Sequence, residues 1–375
     1  MAKKKLLFFS IFIIIILVFV LTIYNIIYKN NNIYLNNKDE APNFISIMLE
    51  ETASSGEYKV SKSNKWPSKG YVFNKEMSYC NNGSTLTWNE NDNSVSVNIN
   101  KTDKCYVYFD IYQPTQPTLA EYIKSQYTGT QGENSLYYHN STLTNGASDN
   151  SYRYAGASDS VNNYICLGSD EATCPEANLF RIIGVFGDKI KVIRAKSVGD
   201  KAWHSSTSAD NTWSSSSLNT YLNGTYLTSL GTLADKIATT TWKVGGGSST
   251  YLYDVPTTAY QYEVGSSAST TTYEAKIGLM YASDYGFAAS SSAWTTQLSS
   301  YSSNTSKNWL YLGSYEWTIS RNSDYAGYAF TVNSAGRVSY TTVSRSFAVR
   351  PSFNLLSSIK YVSGSGSMSD PVRVN

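Results

Sequence analysis

Two stretches carry residue types that could build a serine-acyl site. Ser357-Ser358-Ile359-Lys360 fits Ser-x-x-Lys, a spacing that sets a lysine against a nucleophilic hydroxyl, and Ser148-Asp149-Asn150 fits Ser-Asp-Asn. The motif set that joins these two runs in the opposite order and needs Lys-Thr-Gly, which the chain lacks. Ser357 also follows a strand-like run and precedes a Gly/Ser-rich tail instead of opening a buried helix, so both matches are read as coincidence. The 2 histidines, His139 and His204, sit in Tyr-Tyr-His-Asn and Ala-Trp-His-Ser settings without a nucleophile-elbow motif. Both are read as surface or loop histidines. Paired carboxylates for glycan hydrolysis meet in space, and the sequence nominates no pair. Asn89-Glu90-Asn91-Asp92-Asn93 offers oxygen ligands for calcium, but the spacing does not match an EF-hand loop and Asn and Asp favour turns, so a hairpin turn is expected. No catalytic residue, metal ligand or cofactor is nominated.

The remaining reactive groups are 4 cysteines, Cys80, Cys105, Cys166 and Cys174. No CxxC spacing occurs and no histidine lies within a few residues of them, which argues against zinc. Three pairings are possible. Cys80 with Cys105 and Cys166 with Cys174 is preferred, since each pair closes a short loop within one expected domain; buried free thiols are the alternative. Disulfides call for an oxidising compartment.

The N-terminus points the same way. Leu6 to Tyr24 is an uncharged apolar run of nineteen residues, which at about 1.5 Å per residue matches a bilayer core of ~30 Å. No small-x-small cleavage site follows it. Lys3, Lys4 and Lys5 precede the run and only Lys29 follows it closely, so a single-pass anchor with the N-terminus inside and the remainder extracellular is expected. Setting those four lysines aside leaves 26 of the 30 basic residues against 28 acidic ones, and no basic face for nucleic acid is visible. The partners expected are therefore the membrane and an extracellular protein or glycan.

The chain of 375 residues has room for more than one domain. Residues 1–28 read as cytoplasmic stub and anchor, 29–40 as an Asn-rich spacer and 41–112 as a small β-domain. In the last, Ser94 to Asn100 alternates strictly and Cys105 to Phe109 is strand-like. Gln113-Pro114-Thr115-Gln116-Pro117 breaks the chain, and residues 113–126 read as linker and short helix. Thr118-Leu119-Ala120-Glu121 fits a capping box. Residues 127–375 form the second domain. There Leu179–Phe186 and Lys189–Ile193 are expected strands joined at Gly187-Asp188, with Lys189 and Lys191 facing outward. Leu218, Tyr221 and Leu222 have helical spacing after Ser214 and stop at Asn223-Gly224. Ala275 to Tyr281 reads as a strand, Ser283-Asp284 as a helix start, and Phe347 to Phe353 as one late strand. Ser205 to Ser217 and Gly245 to Thr250 read as surface loops.

The order Asn150-Ser151-Tyr152-Arg153-Tyr154, Asn163-Tyr164-Ile165-Cys166 to Cys174 and Leu179–Phe186 resembles a group of membrane-anchored surface proteins of Gram-positive bacteria. Glu316-Trp317-Thr318-Ile319-Ser320-Arg321, Ala329-Phe330, Gly336-Arg337-Val338 and Val349-Arg350-Pro351-Ser352-Phe353-Asn354-Leu355 resemble a wider family with the C-type-lectin-like fold shared by formylglycine-generating enzymes. The resemblance covers about residues 150–374. It implies an α+β chain with a single N-terminal transmembrane helix, a small all-β domain and a C-terminal C-type-lectin-like domain whose loop-rich face binds. No cysteine follows Cys174, so formylglycine chemistry is not implied. The calcium-lectin motifs Glu-Pro-Asn, Gln-Pro-Asp and Trp-Asn-Asp are also missing. On the presenting face the resemblance places Tyr281, Asp284, Tyr285, Trp294, Trp309, Trp317, Arg321 and Tyr325, in a Tyr/Ser/Gly/Asn/Trp composition suited to contact surfaces. Among them Tyr285, Trp294 and Tyr325 are the leading contacts, and truncating Tyr285 or Trp294 is expected to weaken ligand capture while leaving the melting temperature nearly unchanged. Trp309 and Trp317 fit strand packing equally well, and Arg350 beside Pro351 reads as structural. The expected function is a non-enzymatic, membrane-anchored extracellular binding or adhesion protein. The alternatives are an envelope glycan-processing enzyme or a structural envelope component.

Overall fold

A computed structural model describes residues 44–63, 65–67, 70–89, 94–98, 102–112, 116–205 and 210–375. The chain divides into two units, 1–115 and 116–375. The boundary falls within the proline-punctuated segment, and the short helix joins the second unit.

In the first unit, Phe44–Glu50 runs parallel to Lys104–Ile111, and Tyr58–Val60 and Tyr71–Cys80 add antiparallel strands on either side. The period of two in Lys104–Ile111 turns Cys105, Val107 and Phe109 into the core with Ile47 and Trp66. Cys80 and Cys105 face each other across paired strands and are disulfide-bonded. The expected hairpin strands pair as Thr85–Asn89 with Ser94–Asn98; the turn residues 90–93 lie outside the described residues. Asp103 lies close to both cysteine sulfurs. Those sulfurs are consumed by the disulfide, and the carboxylate accepts from the backbone N–H groups of Asn82, Ser84 and Lys104. That arrangement closes a turn.

The second unit is built on an antiparallel sheet ordered Ile277–Gly278, Ser352–Leu355, Lys189–Arg194, Leu179–Phe186, Ser151–Tyr154 and Leu136–His139, with Tyr164–Cys166 also paired to Leu179–Phe186. Leu179–Phe186 is apolar nearly throughout and buried on both faces, as a central strand covered on each side must be. Gly184 sits at a register shift. A Cβ there would collide with the Tyr152 carbonyl, so only glycine lets the Ser151–Tyr154 strand come in so close. A second sheet contains Asp200–Ala202, Ser346–Ala348, Glu316–Arg321, Tyr328–Val332 and Val338–Thr342. The helix Leu119–Ser125 opens on the expected box: the Glu121 N–H donates to Thr118 Oγ1 at 3.2 Å and the Thr118 N–H to the Glu121 carboxylate at 2.8 Å. It buries Leu119, Ala120 and Ile123 in the core.

Several expectations are corrected. The fold class with an N-terminal transmembrane helix is not supported: among the described residues no helix is long and apolar enough to cross a membrane, and the longest α-helix, Pro256–Glu263, has eight residues. Leu6 to Tyr24 and the 29–40 spacer lie outside the described residues. The helix after Ser214 is capped instead by Ser216, and it runs through Asn223-Gly224 as a π-turn, Leu222–Tyr226. Its Asn223 amide faces inward, donating to the Ile277 carbonyl and accepting from the Ile277 N–H, both at 2.9 Å. An inward hydrogen-bonded Asn holds the turn open where an exposed Asn-Gly would end it. Phe347 to Phe353 is two strands in different sheets, because the chain turns at Val349 to Pro351 as Arg350 dives inward. Gly245 and Gly247 are buried rather than surface-exposed, and Trp213 in the expected 205–217 loop is fully buried.

Candidate functional site

Four charged side chains meet where the central sheet abuts the short helix Ala282–Phe287. Arg153 comes from the strand Ser151–Tyr154, Lys191 from Lys189–Arg194, Asp284 from the first turn of the helix, and Asp149 from the loop ahead of Ser151. Lys191 is thus buried, not outward: it is 6% exposed, because the helix start covers that face of the strand. The Asp149 loop is tightly turned, with Ser148 and Asn150 at φ 55° and 57°. That left-handed geometry on both sides aims the carboxylate inward. The Ser-Asp-Asn stretch therefore supplies an ion-pair partner for Arg153.

The geometry is close. Lys191 Nζ donates to Asp284 Oδ2 at 2.5 Å, which also accepts the Tyr281 N–H at 2.9 Å. Arg153 Nη1 lies 3.7 Å from Asp284 Oδ1. Arg153 Nη2 donates to Asp149 Oδ2 at 2.6 Å and its Nε to Ser151 Oγ at 2.8 Å. Aromatic rings complete the shell: the Arg153 guanidinium lies 4.7 Å from the Phe186 ring centre and 5.2 Å from that of Tyr260, while Lys191 Nζ lies 4.5 Å from Tyr281 and 5.4 Å from Trp242. Such contacts replace part of the hydration that buried cations lose. The helix start is fixed from outside by Glu263, whose carboxylate accepts from the N–H groups of Ala282 and Ser283 and from the Ser320 hydroxyl. Asp149, Arg153, Lys191 and Asp284 line a cavity of about 160 Å³, partly open to solvent, with Trp242, Tyr260, Tyr281 and Phe186 as walls and Thr240, Thr241, Lys243 and Asn354 also on its lining.

Burial and charge act against each other here. Burial pushes the Lys191 amine down from its ordinary value, and Asp284 partly restores it. Burial pushes the Glu263 carboxyl up against its hydrogen bonds. For Asp149, burial alone would push the value up, but the Arg153 charge and the Ser151 hydrogen bonds together bring it from 3.8 down to about 2. A depressed carboxyl contributes stability that is present above its unfolded value and lost as the pH falls through the folded one. The displacement corresponds to about 2 kcal/mol. Asp149→Asn is expected to lose that amount at neutral pH and to flatten the decline in stability between pH 3.8 and about 2, read from urea midpoints across that range. An unchanged slope would show that Asp149 is not ion-paired.

Of the residues nominated from sequence, Tyr281 and Asp284 belong to this site. Tyr285, Trp294, Trp309 and Trp317 do not form a presenting face: they are 0%, 1%, 2% and 0% exposed. Each buried polar atom is satisfied by a backbone carbonyl, of Gly336, Ala289, Tyr154 and Lys201 in turn, which is the condition for burying such side chains. Arg321 donates to the Gly245 carbonyl at 3.0 Å and braces a loop. Tyr325 is exposed and packs beside Tyr328 and Tyr340, apart from the cavity lining. His139 is fully buried, not a surface group. Its Nδ1 accepts the Ala147 N–H at 3.1 Å, and burial first and the Arg153 charge second hold its pKa well below the ordinary value. His204 is half-buried, 3.7 Å from Asp210. Ser357 lies outside the cavity lining. The sequence reading missed Arg153, Lys191, Asp149, Trp242 and Tyr260; the one available signal was a charged residue set inside an apolar strand.

Residues 187–357 match the profile of a family described as a domain of unknown function, DUF6273. No curated protein and no solved structure matches the chain significantly. The matched stretch contains Lys191, Trp242, Tyr260, Tyr281 and Asp284, while Asp149, Arg153 and Phe186 precede it.

Proposed function

We propose that the protein is an exported, non-enzymatic binding protein whose second unit takes up a small ligand in the Arg153–Lys191–Asp284 cavity. The carrying observation is the cavity itself: concave, walled by aromatic rings and floored by a few fixed polar groups, the composition typical of small-molecule sites. Both lining carboxylates are committed to ion pairs within the site, which fits a fixed binding surface. Asp149 is held at about 2, and Asp284 is engaged by Lys191, the Tyr281 N–H and Arg153. Burial also carries the Tyr260 and Tyr281 hydroxyls upward, away from neutrality. Two disulfides, Cys80–Cys105 and Cys166–Cys174, are consistent with an extracellular setting.

Thr241 is exposed and on the cavity lining, so Thr241→Trp adds bulk at the cavity's edge without entering the core. Small aromatic fragments that raise the melting temperature of the full chain are expected to leave the Thr241→Trp variant unmoved. Fragments that stabilise both proteins equally, or an absence of stabilising fragments, would place ligand binding elsewhere or nowhere.

A further inference from the structure

Resting on that reading, we infer that the cavity selects a small monocarboxylate with a flat apolar body. The argument starts from unequal donors and acceptors. Asp149 Oδ1 already accepts from the Ser151 N–H and hydroxyl, and its Oδ2 from Arg153; Asp284 Oδ2 accepts from Lys191 and Tyr281. On the donor side, an ammonium has three N–H bonds and a guanidinium five. Among the described residues Lys191 donates to Asp284 alone, and Arg153 donates through Nε and Nη2, leaving Nη1 at 3.7 Å from the nearest Asp284 oxygen. The site is rich in N–H groups and short of acceptors, a demand that a bound carboxylate meets.

Charge points the same way. Arg153, Lys191 and Lys243 line the cavity against Asp149 and Asp284, and among the described residues Lys243 has no carboxylate within ion-pair distance. Glu263 is not on the lining, and its oxygens are already taken up by the Ala282 and Ser283 N–H groups and the Ser320 hydroxyl. On the lining, three basic side chains stand against two carboxylates, an excess that suits a monoanion. A cationic ligand meets the reverse situation, since the ring faces that would attract it already hold the protein's own cations: Lys191 over Tyr281, and Arg153 over Phe186 and Tyr260. The apolar body follows from those same walls. Its size follows from the volume of about 160 Å³, close to the ~150 Å³ apolar cavity that accepts a benzene ring.

Benzoate, benzamide and benzylamine share a ring and differ in charge, so calorimetric titration of each into the full chain separates the possibilities. Benzoate is expected to bind at least about tenfold more tightly than benzamide, with benzylamine weakest, each tenfold step being about 1.4 kcal/mol. Lys243→Gln, a half-buried strand-end substitution, is expected to lower benzoate affinity about tenfold while its melting curve matches the parent's. Benzamide or benzylamine binding as tightly as benzoate would overturn the carboxylate preference and leave the cavity as a ligand site. No binding by any of the three would overturn both.

Discussion

Arg350→Ala is expected to destabilise the second unit by about 3–5 kcal/mol, the range for removing one partner of a buried ion pair. Arg350 grips Glu316 with both arms: Nε donates to Oε1 at 2.7 Å and Nη2 to Oε2 at 2.8 Å. Nη2 also donates to the Leu310 carbonyl at 2.5 Å. The two side chains are 3% and 1% exposed. Burial already pushes the Glu316 carboxyl upward and Arg350 holds it back, so the variant leaves a buried acid that must stay charged without a partner or take up a proton. The contact also joins the Glu316–Arg321 strand to the turn where the chain passes between sheets. Urea midpoints on the full chain measure the loss. Arg350→Met with Glu316→Leu should recover most of it, because a buried pair is replaced more cheaply than it is broken. A loss under ~1 kcal/mol for Arg350→Ala, the scale of an exposed pair, would mean that the pair is solvated.

Trp294→Ala is the second large effect, about 3–5 kcal/mol for emptying a buried indole. Its ring is 1% exposed and meets Tyr137, His139 and Phe287 at centroid distances of 5.0, 5.1 and 5.5 Å. Its N–H donates to the Ala289 carbonyl at 2.9 Å, so truncation also strands that oxygen. This reverses what a contact residue would do, since thermal melting should fall steeply. Tyr325→Ala, at a side chain 51% exposed, is the matched control and should stay within about 0.5 kcal/mol of the parent. Equal melting temperatures for the two variants would return Trp294 to the surface.

Local chemistry was legible in the sequence and tertiary covering was not. The Thr118–Glu121 box, the turn at Gly187-Asp188 and the two short-loop disulfides each depend on residues close in the chain, and each is present. Lys191 shows the opposite case. Its alternation with Ile190 and Val192 says only that it faces away from them; whether that side is wet depends on a helix that arrives 93 residues later with Asp284. Two-sided burial of a strand erases the usual inference from period to exposure. Trp294 misled for a related reason. In a loop rich in Ser and Ala it looks like a contact residue, yet it is fully buried, as are Trp309 and Trp317, for which strand packing is an equal reading of the sequence. A helix signal failed at Asn223 because the amide's partner, Ile277, is remote in sequence.

The most direct measurement is a site-resolved one: the tryptophan indole N–H resonances of the full chain, followed during titration with the benzoate series. Trp242 forms one wall of the cavity, whereas Trp203 and Trp213 pack against each other outside its lining. The account predicts saturable movement of the Trp242 resonance with Trp203 and Trp213 nearly still, and loss of that movement in Thr241→Trp. Resonances that stay fixed throughout, or shifts at Trp203 and Trp213 with none at Trp242, would contradict it.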